Sequence, residues 1–205
     1  MGKEALVVDR NVLFSEGVFH GFLEANKKDY ITLILGNHRY HPRGDELENN
    51  SSLQQVIPYV WIVDSKNQRV FAYKRAAGTN YKEGRLRNKW SCGLGGHIER
   101  IDSHNPIMAA MMRELQEEVK MPSYPTPRIV GYVKNDDDEV GKVHFGVVAV
   151  VDTEGPVTKG DEEMAHGRLH TLPELEALFA DTKNNEFETW TRISWPFIKD
   201  YLNKL

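Results

Sequence analysis

Cysteine is nearly absent from this chain. The single Cys92 excludes an internal disulfide and any cysteine-based zinc finger, and its short apolar surroundings suit a small residue packed in a strand. Long hydrophobic runs are missing as well. The longest mostly apolar stretch, 143–151, has the length of a strand and falls far short of a membrane span. The first residues lack the apolar segment of a secretory signal, so the expectation is a soluble, cytoplasmic protein. There is also no basic excess. A net charge of −4 and a pI near 6.1 argue against a general nucleic-acid binder. With 205 residues, 40% of them hydrophobic, the chain can fill one domain with an elaboration, or two small ones.

Several familiar motifs are missing too. Gly93-Leu94-Gly95-Gly96 suggests a phosphate cradle, but no Gly-Lys-Ser/Thr follows it, and Ile98 stands where a dinucleotide fingerprint needs a third glycine. There is no HExxH and no G-x-S-x-G.

What the chain does have is acid, tightly spaced. Downstream of the double glycine runs Arg113-Glu114-Leu115-Gln116-Glu117-Glu118. At roughly 100° per residue, Glu114, Glu117 and Glu118 fall within an arc of about 100° on a helix. Met108, Met112, Leu115 and Val119 make an apolar stripe on the other side. Asn105 and Pro106 supply a helix start, as N-cap and first helical residue. The clustering is awkward, because like charges at i,i+4 repel by a few tenths of a kcal/mol and the last turns of a helix disfavour anions. Arg113 relieves part of this. A divalent cation would relieve the rest, and oxygen donors without sulfur or imidazole suit Mg²⁺ or Mn²⁺. A solvated charged face is the bland alternative.

Around this centre the pattern predicts strands at 4–9 and 31–35 with a helix over 19–26 between them, then a long polar loop over 36–52. A boundary there would separate an N-terminal segment, 1–52, from a main domain, 53–205. Strands follow at 56–63, 69–75 and 90–94, and another pair at 128–134 and 140–151 flanks a solvated acidic tip, 135–139. Thr171 and Glu174 form a capping box for a helix through Phe179. A last helix covers 188–202, with Trp190, Ile193 and Phe197 on one side and Pro196 as a kink. Strand pairs bracketing a helix predict a mixed sheet covered on both faces, a layered α/β arrangement.

The acidic segment resembles the Nudix box, G-x5-E-x7-R-E-U-x-E-E-x-G-U with U aliphatic. Gly96 matches the glycine, and 113–118 match the R-E-U-x-E-E core. There are three departures. Asp102 stands at the first glutamate; ten residues rather than seven separate it from Arg113, a three-residue insertion; and Lys120 occupies the final glycine position.

The resemblance implies a Nudix α/β/α sandwich with a mixed central sheet and a Mg²⁺- or Mn²⁺-dependent hydrolase, often a homodimer. Its substrates would be nucleoside diphosphates linked to another group, or related diphosphates. Carried over, Glu114, Glu117 and Glu118 are metal ligands, the Gly96 carbonyl adds an oxygen, and Glu117 or Glu118 assists water activation. Arg113 would hold the glutamates in register. An additional carboxylate would come from Glu162 or Glu163. Arg75, His97 and His144 are candidate substrate contacts, with structural roles as the alternative for each histidine. Tyr81 or Trp90 could stack on a base, although Trp90 suits a core. Two other readings stay open: a non-catalytic sensing or partner-binding module, and an isopentenyl-diphosphate-isomerase-like enzyme using Cys92.

Overall fold

Asp29 decides an element on which sequence pattern and structure differ. In the computed structural model, which describes residues 3–76, 86–160 and 164–204, its carboxylate accepts from the backbone N–H of Thr32 at 2.9 Å and from the Thr32 hydroxyl at 2.6 Å. That is an N-cap, and Ile31–Leu35, expected as a strand, lies inside a helix, Tyr30–Asn37. Tyr30 and Ile34, one turn apart, point into the core. Short apolar runs read equally well as strand or buried helix, and here the cap settles the choice. The expected helix over 19–26 is instead a strand, Gly21–Glu24, and the polar loop over 36–52 contains a strand and a helical turn.

In chain order the elements are β1 (Glu4–Asp9), α1 (Arg10–Leu13), β2 (Gly21–Glu24), α2 (Tyr30–Asn37), β3 (Arg39–Pro42), α3 (Asp45–Glu48), β4 (Leu53–Asp64) and β5 (Arg69–Arg75). Next come β6 (Trp90–Ser91), β7 (Gly93–Leu94), α4 (Pro106–Glu118), β8 (Val119–Lys120), β9 (Arg128–Lys134) and α5 (Glu139–Val143). The series ends with β10 (His144–Asp152), β11 (Thr158–Lys159), β12 (Met164–Thr171), α6 (Leu172–Ala180) and α7 (Thr189–Leu202). Hydrogen bonds order the main sheet β12-β5-β4-β10-β9-β2, with β1, β3, β6 and β7 attached beside this path and β11 paired with β8. This is the mixed α/β class expected. Among the described residues, no helix is long and apolar enough to cross a membrane.

The chain divides into two units, Met1–Tyr59 with Gly95–Met111 and Arg128–Ala149, and Val60–Leu94 with Met112–Pro127 and Val150–Leu205. In the first unit β1 pairs with β3 and, through Val7↔Gln55 to Asp9↔Leu53, with β4. Aromatic rings fill its centre: Tyr30 lies 5.0 Å from both Tyr132 and Phe145. β2 closes on β9 so tightly that a Cβ on Gly131 would meet the Phe22 ring at 2.3 Å.

The acidic tip of this unit is not simply solvated. Lys134 is fully buried, and its ammonium donates to the carbonyls of Gly141 and His144 while pairing with Asp136 at 2.7 Å. Arg10 reaches the same carboxylate at 2.6 Å. Residues 140–143, expected as strand, lie in the short helix α5 with Glu139 of the tip, so His144 opens β10 rather than lying in its middle.

Burial raises the Asp136 pKa, but Arg10 and Lys134 outweigh it and hold the value below 3.8. The native state therefore binds fewer protons than the unfolded one, and this stabilisation is lost as pH falls through the lowered folded value. Asp136→Asn leaves Lys134 buried without its counter-charge. Removing one partner of a fully buried pair costs roughly 3–5 kcal/mol; with the Asp136 side chain 20% exposed, we expect about 2 kcal/mol. Urea unfolding at neutral pH measures the loss, and the variant should show a shallower decline in stability below about pH 4.

In the second unit β5 runs antiparallel to β12, from Arg69↔Thr171 to Lys74↔His166. Thr171 and Glu174 form the expected reciprocal capping box of α6. Stacked rings fix the terminal helices, with Phe179 4.0 Å from Phe187 and 5.4 Å from Trp195. Trp195 in turn stacks on Trp61. That stack sets the inward face of α7: Thr191, Ser194, Trp195, Ile198 and Leu202 are buried. The expected stripe of Trp190, Ile193 and Phe197 lies to one side, with Phe197 exposed. Hydrophobicity alone misses this rotation, because it does not score buried Thr191 and Ser194.

Candidate active site

The helix bearing the acidic cluster begins where its sequence dictates. Asn105 Oδ1 accepts from the Met108 N–H at 3.3 Å, and the Asn105 carbonyl from Ala109 at 2.9 Å. Pro106 then occupies the first helical position, where no N–H is needed. Before it, Asp102 is buried and its carboxylate accepts the Glu99 N–H at 2.8 Å, while its own N–H returns to the Glu99 carbonyl. Asp102 thus closes a turn just before the inserted loop. Along α4 the buried residues are Pro106, Ile107, Ala110, Met111 and Leu115, with Met108 and Met112 only half-buried, so the expected stripe is partly rotated.

The charge shares that side: Glu114 lies two turns after Ile107 and Glu118 two turns after Met111, with Glu117 at the exposed edge. Arg113 Nη1 donates to Glu114 Oε1 at 2.7 Å and to Glu117 Oε2 at 3.4 Å. One guanidinium therefore links two of the three carboxylates. Glu114 is largely enclosed, at 13% side-chain exposure, whereas Glu117 is open at 59%. Glu118 is half-buried, and its carbonyl accepts the Gly160 N–H at 2.7 Å. Gly160 approaches so closely that a Cβ there would lie 2.8 Å from the Glu117 carbonyl oxygen. Val119 and Lys120 then leave the helix as β8, paired with β11.

Other candidates are placed less simply. The Arg75 guanidinium lies over the Tyr73 ring and donates through Nε to Glu188, both charged groups being mostly buried. A phosphate would have to compete with that ion pair. His97 Nε2 sits 2.7 Å from Gln55 Oε1, and its ring packs edge-on to His144, centroids 5.7 Å apart. Burial, then Arg43, pushes the His97 pKa well below its ordinary range, leaving the ring neutral. Trp90 packs on Phe187 and donates to Asn185. Glu162, Glu163 and Tyr81 lie outside the described residues. Residues that sequence pattern gave no reason to choose are Glu188, Glu48 and Gln55. Nothing in local spacing marks them, since each meets its partner only through folding.

Comparison with known proteins fixes the family: a model of the NUDIX domain matches residues 54–191. The chain belongs to the Nudix family. It is 30% identical to Protein YmaB of Bacillus subtilis (strain 168) over 214 residues, 98% of each chain. The crystal structure of Tm1382, a candidate Nudix hydrolase, is 27% identical with a TM-score of 0.78, covering 97% of this chain and 99% of that one. A bifunctional NMN adenylyltransferase/ADP ribose pyrophosphatase from Francisella tularensis, solved with AMP and Mn, shares the fold at 15% identity and a TM-score of 0.53. It covers 73% of this chain and 42% of its own.

This protein is accordingly a Nudix-type hydrolase. Cys92 does not offer the reactive thiol that an isomerase would need. It is fully buried, and burial, then the charge of Glu188, pushes its pKa well above the usual thiol value. Its backbone N–H donates to Thr191 Oγ1 at 3.1 Å, a packing role between β6 and β7.

Proposed function

We propose that this Nudix hydrolase cleaves the diphosphate linkage of a nucleoside diphosphate joined to another group, using Mg²⁺ or Mn²⁺. The observation that carries the reading is the clasp on α4, where Arg113 joins Glu114 to Glu117 one turn from Glu118. The donor set fits a hard divalent ion. It offers carboxylate oxygens without sulfur, two of them clasped by Arg113. The Mn and AMP of the Francisella tularensis structure, named there with ADP ribose pyrophosphatase, support the same substrate class.

Glu114, Glu117 and Glu118 would hold the ion, with the Gly96 carbonyl as a further oxygen. Once bound, such an ion neutralises diphosphate oxygens and acidifies water. The remaining work belongs to the chain. Arg113 restrains two glutamate rotamers, so that little side-chain freedom is lost when substrate arrives. Glu117 or Glu118 accepts the proton of the attacking water, and Glu162 or Glu163 is the candidate for an added carboxylate. Catalysis then comes mainly from positioning and charge. We assign this activity to the portion from residue 53 onward, and a homodimer is its expected assembly.

A screen for phosphate or nucleotide release over nucleotide sugars, dinucleotide cofactors, diadenosine polyphosphates and nucleoside triphosphates tests the reading. At least one class should turn over with Mg²⁺ or Mn²⁺, fall by about a hundredfold or more on chelation, and recover when metal returns. Turnover of none, together with no metal binding, would favour a sensing module instead.

A further inference from the structure

We propose that Glu48, His97 and His144 form a second metal site, one that takes a divalent transition metal of the zinc class. Glu48 ends α3, His97 follows the glycine pair after β7, and His144 opens β10. One potential ligand atom from each lies within 4.8 Å of the other two. The three side chains are half-buried or buried.

Hydrogen bonding fixes which nitrogen of each ring carries the proton. His144 Nδ1 lies 2.7 Å from the Val140 carbonyl oxygen, which can only accept, so Nδ1 is the donor and Nε2 bears the lone pair. His97 Nε2 faces Gln55 Oε1 at 2.7 Å, so its lone pair is on Nδ1. The same amide turns its NH₂ toward Glu48 Oε1 at 3.3 Å. Fully buried Gln55 thus orients one imidazole and the carboxylate together. Backbone carbonyl and carboxamide partners of this kind set tautomer and ring orientation in metal sites.

Two imidazoles and one carboxylate make a three-ligand set that leaves a fourth tetrahedral position for water or another group. With metal–ligand distances of about 2.1 Å, donors in a tetrahedral site sit roughly 3.4 Å apart. A triad with one ligand atom from each residue already within 4.8 Å of the other two stands close to this spacing. The donors also select the ion. Arg43 and Lys3 bring positive charge near His97, which weakens capture by charge alone. Nitrogen donors must supply the affinity, and imidazole favours zinc-like ions over Mg²⁺ or Ca²⁺. These donors share no side chain with the carboxylates of α4.

The test uses full-length protein stripped by a chelator, then titrated with Zn²⁺ against a chromophoric competitor; Co²⁺ absorbance provides a second readout. We expect one equivalent that persists in the Glu117→Gln, Glu118→Gln double variant. His144→Ala and Glu48→Gln should each weaken it at least tenfold, and Gln55→Ala by about tenfold. Circular dichroism establishes that each variant is folded, and Glu48→Gln preserves volume should His144→Ala fail that check. Absence of Zn²⁺ binding, binding indifferent to Glu48→Gln and His144→Ala, or binding lost only with the α4 glutamates would overturn the site.

Discussion

Glu117→Gln or Glu118→Gln should lower turnover by at least about a hundredfold while leaving the fold intact, on the scale of losses at metal sites. The substitution keeps shape and removes charge. Glu117 is more open than Glu114, at 59% exposure against 13%, so its neutral replacement costs little packing. The folded state should hold, because at Glu117 the loss of the long Arg113 contact is offset by removing an anion near a helix C-terminus. That combination separates a catalytic role from a structural one: kcat collapses, and the melting temperature holds. Activity within twofold of the parent in both variants would remove the carboxylates from the reaction. Measuring kcat and KM separately adds a check, since loss of transition-state stabilisation lowers kcat more than it raises KM.

The second large effect is expected in stability, at Gly95→Ala. A Cβ at this position would stand 1.8 Å from the Pro58 carbonyl oxygen and 2.8 Å from its carbon. Both are backbone atoms of β4, so no flexible side chain can give way. Overpacking into well-filled space costs typically 1–3 kcal/mol, and against main chain we expect about 3 kcal/mol or more. Gly36→Ala offers a control within the same unit. That glycine lies in α2 with nothing within 4 Å of its would-be Cβ, and alanine there should stabilise by up to about 1 kcal/mol. Denaturant unfolding of the two variants should move in opposite directions. Equal midpoints would show that the turn before Gly96 and His97 can relax away from β4.

Much of this molecule is written in local chemistry, and those parts were legible. Asn105-Pro106 announces the start of α4, Thr171 with Glu174 that of α6, and the strand at Arg69–Arg75 follows from its turn-bounded apolar run. The acidic cluster was visible because its members share one helix. What stayed hidden depends on partners distant in sequence. ITLIL carries strand-forming residues, but a single cap at Asp29 and two inward positions make it a helix. The buried face of α7 follows the ring of Trp195 rather than a count of apolar residues. Lys134 closes the expected strand 128–134, and it is fully buried against backbone carbonyls and Asp136. Glu48 lay in a stretch that polarity marked as loop, and its meeting with two histidines exists only in three dimensions.

Helices often end on an in-line glycine whose backbone can reverse the chain, and the motif provides for one where this protein has Lys120. Here the residue that comes closest arrives from elsewhere in the sequence. Gly160 presses its bare α-carbon onto the terminus of α4 and donates its N–H to the Glu118 carbonyl. The job of finishing the helix has moved to a neighbouring strand segment. The backbone at Glu118 is thereby moored to residues 158–160, and insertions or swaps in that short stretch would shift the end of α4 without touching any acidic side chain.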